Sequence, residues 1–287
     1  MQEQETRIGP AGWSYEDWKG TVYPEGSSKF DPLAYLADYF DTIEINSSFY
    51  RPPSASTAKS WVRRVTHNPR FKFTAKLHRT FTHERPTDTQ KDEVEFRNGV
   101  DPLHEANRLG ALLLQFPWSF KNIQQNREHL ADLIGRFRVY LLVVEVRHSS
   151  WNKPEVLEWF EEKGVGFCNI DQPLFRHSIK PSGLATSRVG YVRLHGRNYE
   201  NWFSENERPS DRYDYLYSLD ELEPWVDRIK TVASQARETY VITNNHYRGK
   251  AVVNALDLKA LLKGEKVRGP ATLAEKYPHL KEIAVPE

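Results

Sequence analysis

Eight short apolar runs rich in β-branched and aromatic residues recur along this chain, and most are separated by stretches of helical period. The runs cover 7–13, 42–46, 71–78, 111–116, 140–147, 165–171, 189–195 and 239–244. Strand–helix alternation argues for a parallel sheet, and eight is the strand number that closes a (β/α)8 barrel. The expected fold is therefore α/β, a single TIM (β/α)8-type barrel with 1–287 as one domain. An open doubly wound sheet is the alternative. It would normally carry a Gly-rich first turn, and no G-x-G-x-x-G follows any run.

The intervening segments carry helix punctuation. Asp31 caps a helix that opens on Pro32, with Leu33, Leu36 and Phe40 on its apolar side. Segment 54–67 has Trp61, Val62 and Val65 as a stripe. Segment 91–108 is weaker and reads as two pieces because of Gly99 and Pro102. Segments 123–137, 154–163, 219–236 and 250–262 are clearer, with Gly164 and Gly264 as stops. Between the sixth and seventh runs, 172–188 has no sustained period, so an irregular connection is expected. Segment 196–218 is a large insertion, and 267–287 reads as an extension packed on the outside of the barrel.

Forty Lys and Arg oppose 39 Asp and Glu, so no net field draws the chain to nucleic acid or an anionic membrane. A lone cysteine, Cys168, excludes an internal disulfide and every Cys-x-x-Cys metal or redox arrangement. No apolar run approaches the roughly 20 residues that span a bilayer, and 1–7 is polar. A soluble cytoplasmic protein is expected.

Side chains alternate faces along a strand, and in a barrel one face fills the interior. With Phe71, Phe73, Ala75 and Leu77 against helices, Lys72, Thr74, Lys76 and His78 turn inward. The same reading turns Glu44 and Asn46 inward from the second run, and Glu145 and Arg147 from the fifth. It adds Asn169 and Asp171 from the sixth, and Tyr191, Arg193 and His195 from the seventh. Most of the charged positions fall near C-terminal strand ends, where functional groups of these barrels gather. Such charges need partners, because desolvating each costs several kcal/mol, roughly. The ring is thus either a charge-paired structural plug or a polar pocket. Trp13 and Tyr50 in the neighbouring loops supply aromatic walls for a ligand cleft. Asn245, His246, Arg248 and Gly249, just before a helix start at Lys250, form a candidate anion site.

Several motifs resemble the YecE-like family of TIM barrels. They include Gly12-Trp13-Ser14-Tyr15 with Trp18, the run Glu44-Ile45-Asn46-Ser47-Ser48-Phe49-Tyr50, and Gln115-Phe116-Pro117. Glu145-Val146-Arg147-His148 with Trp151 and Arg193-Leu194-His195-Gly196-Arg197 add to them, as do 71–84 with Lys76 and Thr82-His83, 212–218 and 244–256. The resemblance covers nearly the whole chain. It implies one barrel domain with a polar C-terminal pocket and supplies no reaction.

Three functions remain open. The favoured one is an enzyme doing acid–base chemistry on a phosphorylated or carboxylated small molecule, without a metal. Glu44, Lys76, Glu145, Asp171 and His195 are its candidate catalytic groups. Trp13, Asn46, Tyr50, Arg147, Arg193, Arg197, Asn245, His246, Arg248 and Gly249 are its candidate binding groups. The second is a metal-dependent hydrolase or isomerase resembling sugar isomerase or abasic-site endonuclease barrels, with Glu44, Glu145, Asp171 and His195 as ligands, acting on a small molecule or nucleic acid. The third is a nucleotide or single-stranded nucleic-acid binding protein without catalysis. A small anionic molecule is the expected partner, nucleic acid a less favoured one, and no membrane is expected. The sequence names no cofactor.

Overall fold

Each of the eight runs forms a strand in a computed structural model, which describes residues 4–26, 30–200, 202 and 211–286. In chain order the elements are β1 Glu5–Pro10, α1 Pro32–Ala37, β2 Thr42–Ile45, α2 Ala55–Arg64, β3 Lys72–Lys76, α3 Gln90–Glu105 and β4 Leu109–Gln115. There follow α4 Gln124–Phe137, β5 Leu142–Glu145, α5 Pro154–Lys163, β6 Gly166–Asp171, β7 Val189–Leu194, α6 Leu219–Gln235, β8 Glu238–Thr243 and α7 Lys250–Lys263. The strands run parallel in the order β1-β8-β7-β6-β5-β4-β3-β2. A bridge from Ala11 to Glu44 and the Gly12 amide on the Glu44 carbonyl at 2.9 Å join the two ends. Gly9 allows this approach, since a Cβ there would stand 1.8 Å from the Thr42 carbonyl oxygen. The result is a nearly closed TIM-type barrel.

Local chemistry accounts for the helix starts. The Asp31 carboxylate accepts from the Leu33 and Ala34 amides ahead of α1, and Ser218 with Glu221 forms a capping box on α6. The expected break in 91–108 does not occur. Pro102 lies inside one continuous α3, and Gly99 is there for packing, because a Cβ would meet the Pro53 carbonyl at 2.3 Å. The connection 172–188 is irregular, as its prolines predict. Of the 196–218 insertion, 201 and 203–210 lie outside the described residues.

Beyond α7, β9 Val267–Gly269 pairs with β10 Ala284–Pro286, with α8 Ala271–Lys276 and α9 Leu280–Ile283 between them. Leu273 and Leu280 are buried, and His279 reaches Asp257 of α7 at 3.1 Å. Among the described residues no helix is long and apolar enough to cross a membrane.

Register fixes which side chains face the axis. Glu44 pairs with Thr74, Gln115 with Glu145, and Tyr191 and Arg193 with Tyr240 and Ile242. In β6 the expectation fails. Cys168 and Ile170 pair with Tyr191 and Arg193, so they face inward, and Asn169 and Asp171 face out. The cause is hydrogen bonding: Asn169 is held by the Leu184 backbone and Ser182 in the irregular loop, which supplies a polar exterior to an otherwise apolar strand face.

Candidate active site

Above the middle of the barrel the inward residues form one connected network. Arg193, fully buried, donates from Nη2 to Glu44 Oε1 at 2.6 Å and from Nη1 to Glu145 Oε2 at 2.5 Å. Glu44 Oε2 accepts from the Tyr191 hydroxyl at 2.8 Å. Glu145 Oε1 accepts from Arg147 Nε and Nη2 at 3.0 and 2.9 Å, and from His195 Nε2 at 3.1 Å. Burial alone would raise the Glu145 carboxyl. Arg193, His195 and Arg147 outweigh it and hold the group well below the usual carboxylate range.

The proton on His195 is placed by its other neighbour. Asn244 Nδ2 donates to His195 Nδ1 at 3.1 Å, which leaves Nε2 as the N–H that faces Glu145. Complete burial pushes this imidazole down to about 3, against the pull of Glu145 and with the help of Arg193 and Arg147. At neutral pH the histidine is uncharged. Asn244 is itself oriented by Asn46, whose Nδ2 reaches Asn244 Oδ1 at 3.2 Å.

Lys76 breaks the pattern of pairing. Its Nζ stands 4.0 Å from the centre of the Phe49 ring and makes no hydrogen bond or ion pair among the described residues. Burial first, then Arg193, pull its ammonium down to about 7 despite Glu44 and Glu145. Three cations (Lys76, Arg147, Arg193) therefore face two carboxylates.

Lys76, Asn46 and Asn244 open into a cavity of about 550 Å³ walled by Trp13, Tyr15 and His246. Tyr15 and His246 stack at 4.5 Å, and Trp13 is propped edge-on by Trp61 at 5.1 Å. Tyr50 stands at the rim, 68% exposed. Beside this cavity the Arg147 guanidinium lies 5.6 Å from the Trp202 ring, which also covers His195.

Five of the candidates belong elsewhere. Asp171, facing outward, accepts from Arg197 Nε and Nη2 at 2.8 and 2.7 Å, Tyr217 at 3.0 Å and Trp225 at 2.7 Å. With four donors its carboxylate is saturated, and with Arg197 it ties the segment after β7 to α6. Arg248 and Gly249 lie outside the cavity. The Arg248 amide donates to Asp17 at 2.6 Å, and a Cβ on Gly249 would meet Val22 at 2.7 Å. Asn245 is also turned away, donating to the Tyr215 carbonyl and to Asn254 at 2.8 Å. The anion cradle expected at 245–249 is thus divided, with only His246 facing the cavity. Lys250, at the start of α7, pairs with Asp214.

Buried polar atoms without a partner among the described residues concentrate at this end of the barrel. They belong to Thr42, Asn46, Trp118, Gln172, Arg193, Arg212 and Asn245. All but Thr42 sit on the C-terminal half of a strand or in the loop after one. Such atoms ordinarily bond to water or ligand. Tyr191, although read as inward, Asn244, Gln115 and Gln172 were not among the candidates drawn from the sequence. The first two were legible in part, since Tyr191 shares the phase of Arg193 and Asn244 sits beside the asparagine singled out.

Residues 7–277 match the protein family described as "Protein of unknown function DUF72". The chain is 27% identical over 270 residues to the UPF0759 protein YunF of Bacillus subtilis, covering 89% of this chain and 94% of the relative. It is 36% identical to a DUF72 family protein of Thermotoga maritima, with a TM-score of 0.79 and coverage of 90% and 99%. A DUF72 family protein of Enterococcus faecalis shares the fold at 23% identity, TM-score 0.78, with coverage of 90% and 95%. On the match to 7–277, the chain belongs to the DUF72 family, the family that its YecE-like motifs resemble.

Proposed function

We propose that this chain is an enzyme that holds a small phosphorylated or carboxylated molecule in the cavity above Lys76 and moves a proton there without a metal. The observation that carries the reading is the Lys76 ammonium, sunk beside a cavity of about 550 Å³ with no acid to pair with among the described residues. An ammonium pulled down to about 7 is half neutral at neutral pH, the condition in which an amine takes up a proton effectively. Arg147, with one guanidinium nitrogen free of partners among the described residues, anchors the anionic group. Glu145 and Glu44 hold the arginines in place. His195, engaged at both nitrogens, orients Glu145 and exchanges no proton itself.

The donor set disfavours the metal-dependent alternative. Glu44 and Glu145 spend their oxygens on Arg193, Arg147, Tyr191 and His195, and Asp171 faces outward, held by Arg197, Tyr217 and Trp225. Among the described residues no three His, Cys, Asp or Glu side chains converge as ligands would.

The test is hydrogen–deuterium exchange at carbon, followed by NMR, in a panel of sugar phosphates and 2-oxo acids incubated with the protein. One or more members should exchange, K76M should abolish exchange, and K76R should retain binding while losing it. Binding without exchange of any member would leave a binding protein, and stoichiometric metal lost in E145A would return the metal-dependent reading.

A further inference from the structure

The opposite, N-terminal mouth of the barrel carries a second charged cavity that the reading above does not use. It measures about 310 Å³ and is rimmed by the starts of β3, β4, β7 and β8. Its floor is a closed ring. Glu238 accepts from Lys72 at 2.9 Å, Arg7 at 3.3 Å and the Tyr240 hydroxyl at 2.5 Å, and Arg7 also pairs with Glu5.

Above that floor stand Arg188 and Arg237, side by side because the Arg237 amide donates to the Arg188 carbonyl at 2.9 Å. Both are exposed, and neither side chain makes an ion pair or hydrogen bond among the described residues. Most other arginines here are engaged: Arg64, Arg97, Arg108, Arg136 and Arg197 all hold carboxylates or carbonyls. Lys72, Arg7, Arg188 and Arg237 against Glu5 and Glu238 leave a formal surplus of two positive charges at this mouth. His104 and Asn107 complete its polar wall. A neighbouring cavity of about 490 Å³ shares Arg188, Val139 and Leu141 and adds Arg138, Lys163 and Glu161. Val139 is 54% exposed there, an apolar strip between cations.

We propose that this mouth is a binding site for a small phosphoanion of two or more negative charges, gripped by the forks of Arg188 and Arg237. Guanidinium groups free of carboxylates favour phosphate oxygens through paired, parallel N–H donors. The surplus charge selects a multiply charged ligand over a monoanion. A free polyphosphate would use the cations alone, whereas a nucleoside polyphosphate would also lay its base on Val139 and Leu141. Because both arginines are exposed, the attraction is screened by salt.

The experiment is calorimetric titration of the full chain with inorganic tripolyphosphate and, separately, ATP at low ionic strength. Both variants to be compared alter exposed side chains or the distant cavity. R188A/R237A should weaken binding of the probe at least tenfold, K76M should leave it unchanged, and raised salt should weaken it. Tighter binding of ATP than of tripolyphosphate would identify the nucleoside as part of the ligand. No binding by the unaltered chain overturns the proposal. So does binding that survives R188A/R237A and vanishes in K76M, which would place the anion in the upper cavity.

Discussion

The two ends of this barrel are both wired with buried charge, yet they differ in what the wiring leaves over. At the lower end Glu238 collects Lys72, Arg7 and Tyr240, and no atom of that ring lacks a partner. At the upper end Arg193 bridges Glu44 and Glu145, but among the described residues its own Nε is unpartnered and Lys76 nearby has no acid. The lower cations in excess, Arg188 and Arg237, are exposed and hydrated, so they carry little desolvation cost. A count of charges would rate the ends alike. Burial without a partner separates them: a ligand at the upper end relieves a desolvation cost, whereas an anion on Arg188 and Arg237 gains only a salt-screened attraction.

The largest expected effect breaks the upper network at its centre. Arg193→Met leaves the fully buried Glu44 with no cation and only the Tyr191 hydroxyl, takes one of two arginines from Glu145, and should cost about 3–5 kcal/mol in urea denaturation. Arg7→Met removes an equally buried arginine from the lower ring, but Glu238 keeps Lys72 and Tyr240, so about 1–3 kcal/mol is expected. Equal losses in the two variants would erase the distinction between the ends.

Asp171 offers the next effect and shows where the sequence misleads. All eight strands were legible from apolar runs, and β2, β3, β5 and β7 were legible in phase because their inward charges alternate with Val, Ile, Phe or Leu. In β6 both faces are polar: Cys168 and Gln172 point inward while Asn169 and Asp171 bond outward to a loop and to α6. A strand covered on both sides has no solvent face to set its phase, so a charge marks a partner rather than the axis. Only the neighbouring Tyr191–Arg193 register could have decided it. The paired lower ring was equally hidden, since Arg7 and Glu238 lie at strand starts where apolar packing is the usual expectation. Asp171→Asn should therefore cost about 2–3 kcal/mol through weakened bonds to Arg197, while anion binding above Lys76 stays unchanged.

Acid separates the ends by the pH at which each begins to fail. The His195 imidazole is lowered from 6.5 to about 3, so between those values the unfolded chain binds a proton that the fold refuses. Stability therefore falls as pH drops through that window, by about 1.4 kcal/mol per pH unit for each proton not taken up. Glu238, whose own burial is outweighed by Lys72, Tyr240 and Arg7, is held below its usual range, so the lower ring weakens only below about 4.5. His195→Gln should flatten the stability profile between pH 6.5 and 4.5, as read by denaturant midpoints at successive pH values. An unchanged slope would mean that the upper network does not keep this histidine neutral.

The smallest effect is also the most discriminating, because one substitution should change sign within one strand. Lys72 and Lys76 stand at the two ends of β3 on the same inward face. Lys72 gives its ammonium to Glu238, so Lys72→Met should cost about 1 kcal/mol. Lys76 has no such partner among the described residues, and Lys76→Met, nearly equal in volume, should raise stability by about 1 kcal/mol while abolishing anion binding. The pH dependence gives the same comparison a second axis. Because the fold lowers Lys76 from 10.5 to about 7, the unfolded chain holds the extra proton between those values, and unaltered protein gains stability as pH rises through that window. Lys76→Met should lose that rise and keep its advantage only toward neutral and acid pH. If Lys76→Met destabilised the chain as Lys72→Met does, Lys76 would be a paired structural cation like its neighbour one turn of the ladder below, and the upper cavity would have no charge waiting for a ligand.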